Sequence, residues 1–130
     1  MTTISFMLAV DDAGEASIWY QRALGAIELW SLGSVLALEA DGLCFLLHEP
    51  TDGFATPAAL KATSVRIEVF TDDPDSLVDR AVAAGADGSG DDVREYETPW
   101  GPHRQGDFRD PFGHVWLVGD NSPLGWRGSV

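Results

Sequence analysis

The sequence predicts an α+β fold of two βαβββ modules whose mixed sheets form a cup. Three observations carry that reading. The order strand, helix, three strands occurs twice along the chain. Each helix candidate is preceded by an acidic residue and followed by a glycine, and Asp12 to Gly25 has the same spacing as Asp72 to Gly85. This marks an internal repeat with a period of about 60 residues. Finally, 130 residues suit one domain, long enough to bury roughly two thirds of its unfolded surface.

The first module opens on Ile4 to Val10, a mostly apolar run of strand length ended by Asp11 and Asp12. Asp12 suits a helix N-cap, with Glu15 three positions on as the partner in a capping box. Ala16, Trp19, Tyr20, Ala23 and Leu24 then share one helical stripe, and Gly25 stops it as a left-handed cap. Three short strands are expected over 26–31, 34–39 and 43–47. Gly33 and Asp41-Gly42 supply their turns, Asp-Gly being a strong hairpin signal. Residues 50–63, rich in Pro, Gly, Ala and Thr, read as a linker.

The order then repeats. Ser64 to Phe70 is a strand, and Pro74 suits the first turn of the next helix. Leu77, Val78, Ala81, Val82 and Ala84 make its apolar stripe, ended by Gly85. The helices are thus expected over about 13–24 and 74–84, with Trp19, Tyr20, Leu24, Val78 and Val82 packed on the sheets. Strands follow near 93–98, 103–109 and 115–118, with Asp110-Pro111-Phe112-Gly113 as the last hairpin. One domain over 1–122 therefore holds modules at about 4–49 and 64–119, and 123–130 is a tail. Each sheet carries a helix on one face. The uncovered faces can curve toward each other and leave a concavity for a ligand.

Composition excludes several partners. The formal net charge is −13, from 21 acidic and 8 basic residues. Such a field repels a phosphate backbone and an anionic bilayer, so neither nucleic acid nor membrane is expected as a partner. No apolar run reaches the roughly 20 residues of a membrane helix. The N-terminal stretch lacks the features of a secretory signal, and a cytoplasmic location is the expectation. The single cysteine, Cys44, lies in an apolar run and reads as a small core residue.

Two stretches carry a family resemblance. Val10-Asp11-Asp12, Trp19-Tyr20 and Ala23-Leu24-Gly25-Ala26 resemble the first module of the glyoxalase/bleomycin-resistance/dioxygenase (vicinal oxygen chelate) superfamily. Trp100-Gly101-Pro102-His103-Arg104, then Phe108 to Trp116 (FRDPFGHVW), is similar to its PhnB-like branch. The resemblance covers about residues 4–119. It implies the glyoxalase/bleomycin-resistance fold and a homodimer that pairs modules across subunits. It also implies metal-dependent lyases, isomerases and dioxygenases on one side, and metal-free sequestering proteins on the other. The metal ligands of the family would fall at Ser5 and Arg66 (or Val65) on the first strands, and at Leu46 and Leu117 on the last. None of these is a ligand of the expected type, so no metal and no other cofactor is expected at those positions.

Other residues bear chemistry. His48, two past Leu46, and Glu68, two past Arg66, read either as displaced metal ligands or an acid/base pair, or as a solvated histidine and an ordinary charge pair. Arg66 either pairs with Glu68 or receives an anionic ligand. His103, Gln105 and Asp107 alternate along one strand; they face solvent or hydrogen-bond a ligand in the cup. His114 is expected to hold turn geometry. Five tryptophans are many for this length. Trp19 and Trp116 suit the core, whereas Trp30, Trp100 and Trp126 suit a planar ligand or a subunit interface. The ligand-binding set expected is therefore Arg66, Glu68, His48, Trp100, His103, Gln105, Asp107, Leu46 and Leu117. The function expected is binding of a small organic molecule, antibiotic or metabolite, without the usual metal. The alternatives are a metal-dependent enzyme with displaced ligands and a regulatory or structural dimer with a vestigial pocket.

Overall fold

The computed structural model describes residues 1–128; Ser129 and Val130, the end of the expected tail, lie outside the described residues. The first sheet contains β1 (Met7–Ala9), β2 (Ile27–Ser31), β3 (Val35–Ala40) and β4 (Leu43–His48), in the order β1-β4-β3-β2. The second contains β5 (Ile67–Phe70), β6 (Arg94–Thr98), β7 (Gly101–Arg109) and β8 (Val115–Gly119), in the order β5-β8-β7-β6. In each sheet the opening strand runs parallel to the closing strand, and the rest are antiparallel. A parallel neighbour needs a crossover, supplied by α1 (Ala13–Leu24) in one module and α3 (Pro74–Ala83) in the other. The linker adds a one-turn helix, α2 (Pro57–Leu60), capped by Thr56 Oγ1.

The helix ends follow their caps. Asp12 Oδ1 accepts the Glu15 N–H at 2.9 Å, and Gly25 stops α1 at φ 67°. The cap of α3 is Asp73, one residue beyond the expected Asp72; its Oδ1 accepts the Ser76 N–H at 3.1 Å. The N-caps of the two helices, Asp12 and Asp73, are therefore 61 apart. The two helices touch near their C-terminal ends. Trp19 Nε1 donates to Ala84 O at 2.9 Å, and Arg80 Nε donates to Arg22 O at 2.6 Å, placing a cation on the exposed carbonyl end of α1.

The core lies between these helices and the sheets. Val10, Tyr20, Leu36, Leu38, Leu47, Phe108 and Val118 are fully buried. Trp19, Tyr20, Leu24 and Val78 pack into it as expected. Val82 does not: it is 43% exposed and looks toward Gly88 beside an open crevice. Cys44 is also exposed, contrary to the core reading. It alternates with Phe45 on β4, whose side chain takes the core face, so Cys44 must take the other. Both opening strands start later than the apolar runs suggest, at Met7 and Ile67. The tail segment carries a 3₁₀ turn at Pro123–Gly125. Among the described residues, no helix is long and apolar enough to cross a membrane.

Candidate functional site

Strand alternation gives each sheet a face turned away from its helix, and the register fixes which residues share a row on it. Across the first sheet, Met7, Leu46, Ala37 and Trp30 stand in one row. Across the second, Glu68, Leu117 and Asp107 do so. The expected floor of Ser5, Leu46, Arg66 and Leu117 is therefore shifted. Ser5 and Arg66 precede the strands, and the parallel register sets Met7 beside Leu46 and Glu68 beside Leu117. These four side chains offer a thioether, one carboxylate and two leucines, a poor match to the several converging N, O or S donors that a divalent metal needs. Among the described residues, no three His, Cys, Asp or Glu side chains gather about one point.

A cavity of about 380 Å³ lies on the second sheet, and it brings together Glu68, Trp100, His103, Gln105 and Leu117. The strand pairing of β6 with β7 adds Tyr96 beside His103. His103 is 5% exposed and fully bonded. Its Nδ1 accepts the Asn121 N–H at 3.2 Å, which leaves Nε2–H to donate to Gln105 Oε1 at 2.9 Å. Asp120 Oδ1 also lies 3.7 Å from Nδ1. The shorter contact from a backbone donor decides the tautomer, since an N–H can only donate. With its oxygen engaged, Gln105 has its amide nitrogen left to donate. Gly119 makes this arrangement fit: a Cβ there would stand 2.5 Å from His103 Cε1.

Trp100 is held by the chain after β8. Its Nε1 donates to Asn121 O at 2.9 Å, and its ring centroid lies 6.0 Å from that of Trp126. Trp126, expected against a planar ligand or at a subunit interface, packs on Trp100, and Asn121 carried no expected role. Their clearest sequence signal was the tryptophan itself, since an aromatic in a tail needs a surface to cover it.

The other expected site residues lie elsewhere. Arg66 is exposed and lines a separate crevice of about 460 Å³ between the two sheets, with Phe6, Leu60, Val65 and His114 among its neighbours. Glu68 borders both spaces. Among the described residues, Arg66 and Glu68 form no ion pair with each other or with a third group. Leu46 and His48 are half-buried on the first sheet. The His48 ring packs against Phe54, and its Nδ1 lies 2.5 Å from Glu49 O. Asp107 turns away from the cavity. Its Oδ1 accepts the Asp91 N–H at 3.0 Å, so the 87–92 loop takes up the carboxylate expected to face a ligand.

The RDPFGHVW segment is structural. Asp110, 3% exposed, accepts four hydrogen bonds: from Tyr20 Oη at 2.5 Å, Trp116 Nε1 at 2.9 Å, and the Phe112 and His114 N–H groups at 3.0 Å each. Burial and the Asp110 carboxylate push the Tyr20 hydroxyl well above its usual pKa of 10.0. His114 does more than shape a turn. Its Nε2–H donates to Ala9 O at 2.7 Å, joining the second module to β1 of the first.

Comparison with known proteins agrees with this architecture. Residues 3–118 match the family model of the Glyoxalase/Bleomycin resistance protein/Dioxygenase superfamily. An uncharacterized protein of Mycobacterium bovis, Mb0911c, is 32% identical over 123 residues, covering 86% of this chain and 78% of its own. The crystal structure of TioX from Micromonospora sp. ML1 has a TM-score of 0.69 at 24% identity, covering 93% of this chain and all of that one. A bleomycin-binding protein complexed with bleomycin has a TM-score of 0.66 at 15% identity, covering 94% and 100%. With two four-stranded βαβββ modules and a family match spanning nearly its whole length, this chain belongs to the Glyoxalase/Bleomycin resistance protein/Dioxygenase superfamily.

Proposed function

We propose that the protein binds and sequesters a small organic molecule, an antibiotic or a metabolite, without the superfamily's usual metal. The observation that carries this reading is the pair Leu46 and Leu117, which occupy equivalent rows where the family resemblance puts metal ligands. Beside Leu117 lies a cavity with aromatic walls and a preset amide donor, Gln105. The likeness to a bleomycin-binding protein agrees with small-molecule capture on this fold. Glu68, Trp100, His103, Gln105 and Leu117 form one wall of the site. Leu46 and His48 belong to the opposing sheet face, and Arg66 serves the adjoining crevice. The resemblance of the Trp100 to Trp116 pattern supports a PhnB-like assignment, and one unpaired cysteine suits the cytoplasm.

A second copy completes the cup in this reading. Met7, Ile27, Leu29 and Trp30 on the first sheet are each more than two fifths exposed, an apolar surface that calls for cover. A stable homodimer would bury more than about 1,000 Å² there. Light scattering at micromolar concentration should give twice the chain mass, and a monomer contradicts the dimer.

The competing reading is a metal-dependent lyase, isomerase or dioxygenase on displaced ligands, with Glu68 on one sheet and His48 on the other. Ligand-observed NMR separates the two. With EDTA present, quinoline should bind saturably, and Trp100→Ala should weaken it by roughly three- to tenfold through lost stacking. Binding that vanishes with EDTA, or that ignores Trp100, counts against metal-free capture.

A further inference from the structure

The residues that line the second-sheet cavity include two acids, Glu68 and Glu97. Glu68 stands on the edge strand β5, exposed, and among the described residues it has no ion-pair partner. Leu117 lies next to it in register, followed by the ring of His103 and the rings of Tyr96 and Trp100. Among the described residues, no lysine or arginine lines this space.

The nearby cations are engaged or turned elsewhere. Arg94 lies against Tyr96, its Nε donating to the phenol oxygen at 2.6 Å and its Cζ 5.3 Å from the ring centroid. Arg104 alternates onto the helix face and grips Asp75 through two bonds of 2.6 and 2.8 Å. Arg109 donates to Gly113 O, and Arg66 lines the other crevice. His103 Nδ1 accepts the Asn121 N–H. Gln105 adds a neutral donor only.

We infer that this cavity selects a flat organic cation, its ring against Trp100 and its charge toward Glu68. The inference rests on the small-molecule reading above and adds the ligand's charge to it. An unpaired carboxylate attracts a cation, an aromatic face adds cation–π attraction, and a net charge of −13 draws cations toward the surface as a whole. An anion would meet two carboxylates, Glu68 and Glu97, with Arg94 as the cation nearest to offset them, behind the Tyr96 ring. The space, about 380 Å³, admits a bicyclic ring with room for substituents.

Three probes of one shape test the charge: 1-methylquinolinium, quinoline and quinoline-2-carboxylate, titrated by ligand-observed NMR at low salt and slightly alkaline pH. The cation should bind roughly tenfold tighter than quinoline, and the anion more weakly than either. Glu68→Gln, an exposed and nearly isosteric change, should cut the cation's advantage over quinoline to about twofold. Added salt should weaken the cation alone. If quinoline binds in a Trp100-dependent way but the cation gains nothing over it, or keeps its advantage in Glu68→Gln, the cation inference falls and the small-molecule reading stands. If none of the three binds, both fall.

Discussion

The two modules share a topology but close it with different hairpins. Between β3 and β4 the turn is Asp41-Gly42, exposed, with nothing within 4 Å of where a Gly42 Cβ would stand. Between β7 and β8 the turn is Asp110 to Gly113, and three of its four residues are buried. Asp110 bonds Tyr20 of α1, and Gly113 lies against the linker, where an added Cβ would stand 2.5 Å from Ala58 N. The lesson concerns duplication. One copy of the hairpin needs only to turn the chain, while the other holds both modules together, so the same topological position carries very different energies.

Matched substitutions test that contrast. Asp110→Asn places an amide donor among four donors and should cost about 2–4 kcal/mol in denaturant unfolding. Asp41→Asn should stay within about 0.5 kcal/mol, since asparagine tolerates the left-handed backbone. Gly113→Ala should cost at least about 2 kcal/mol, from φ 94° together with the linker clash. Gly42→Ala at φ 83° keeps only the backbone part, about 1 kcal/mol. Equal losses at the two hairpins would remove the asymmetry.

Tyr20→Phe leaves Asp110 three donors and should cost about 1 kcal/mol. The hydroxyl itself gives a sharper probe. Its pKa is raised by burial first and by Asp110 second, so the folded state keeps a proton that the unfolded chain releases above about pH 10. The stabilisation is therefore complete below the unfolded pKa and is lost as pH rises through the folded one. In an alkaline titration of phenolate absorbance, the Tyr20 transition should coincide with unfolding. A transition near the free tyrosine value in folded protein would refute the buried pair.

The fold was legible because its signals are local. Asp12, Gly25, Pro74 and the Asp41-Gly42 turn each act within four residues, and strand alternation repeats every two. The site was legible only in part. His103, Gln105 and Trp100 follow from alternation and placement on one strand and its turn. Other features depend on partners far along the chain: Tyr20 meets Asp110 across 90 residues, and His114 meets Ala9 across 105. No periodicity encodes such pairs. Asp107 looked like a ligand group because its captor, the Asp91 amide, sits in a loop without a sequence signal. Ser5 and Arg66 were placed by motif spacing, but strand register decides which side chains share a row, and it favoured Met7 and Glu68.

The central claim, capture of a small molecule without the superfamily's metal, is tested most directly by metal uptake. Protein purified without a histidine tag is equilibrated with zinc, nickel, manganese and ferrous iron in turn, desalted, and measured by elemental mass spectrometry. Far less than one equivalent of any metal per chain is expected, with quinoline binding unchanged by the treatment. One tightly held equivalent, lost in Glu68→Ala or His48→Ala, would contradict the claim and establish the displaced metal centre instead.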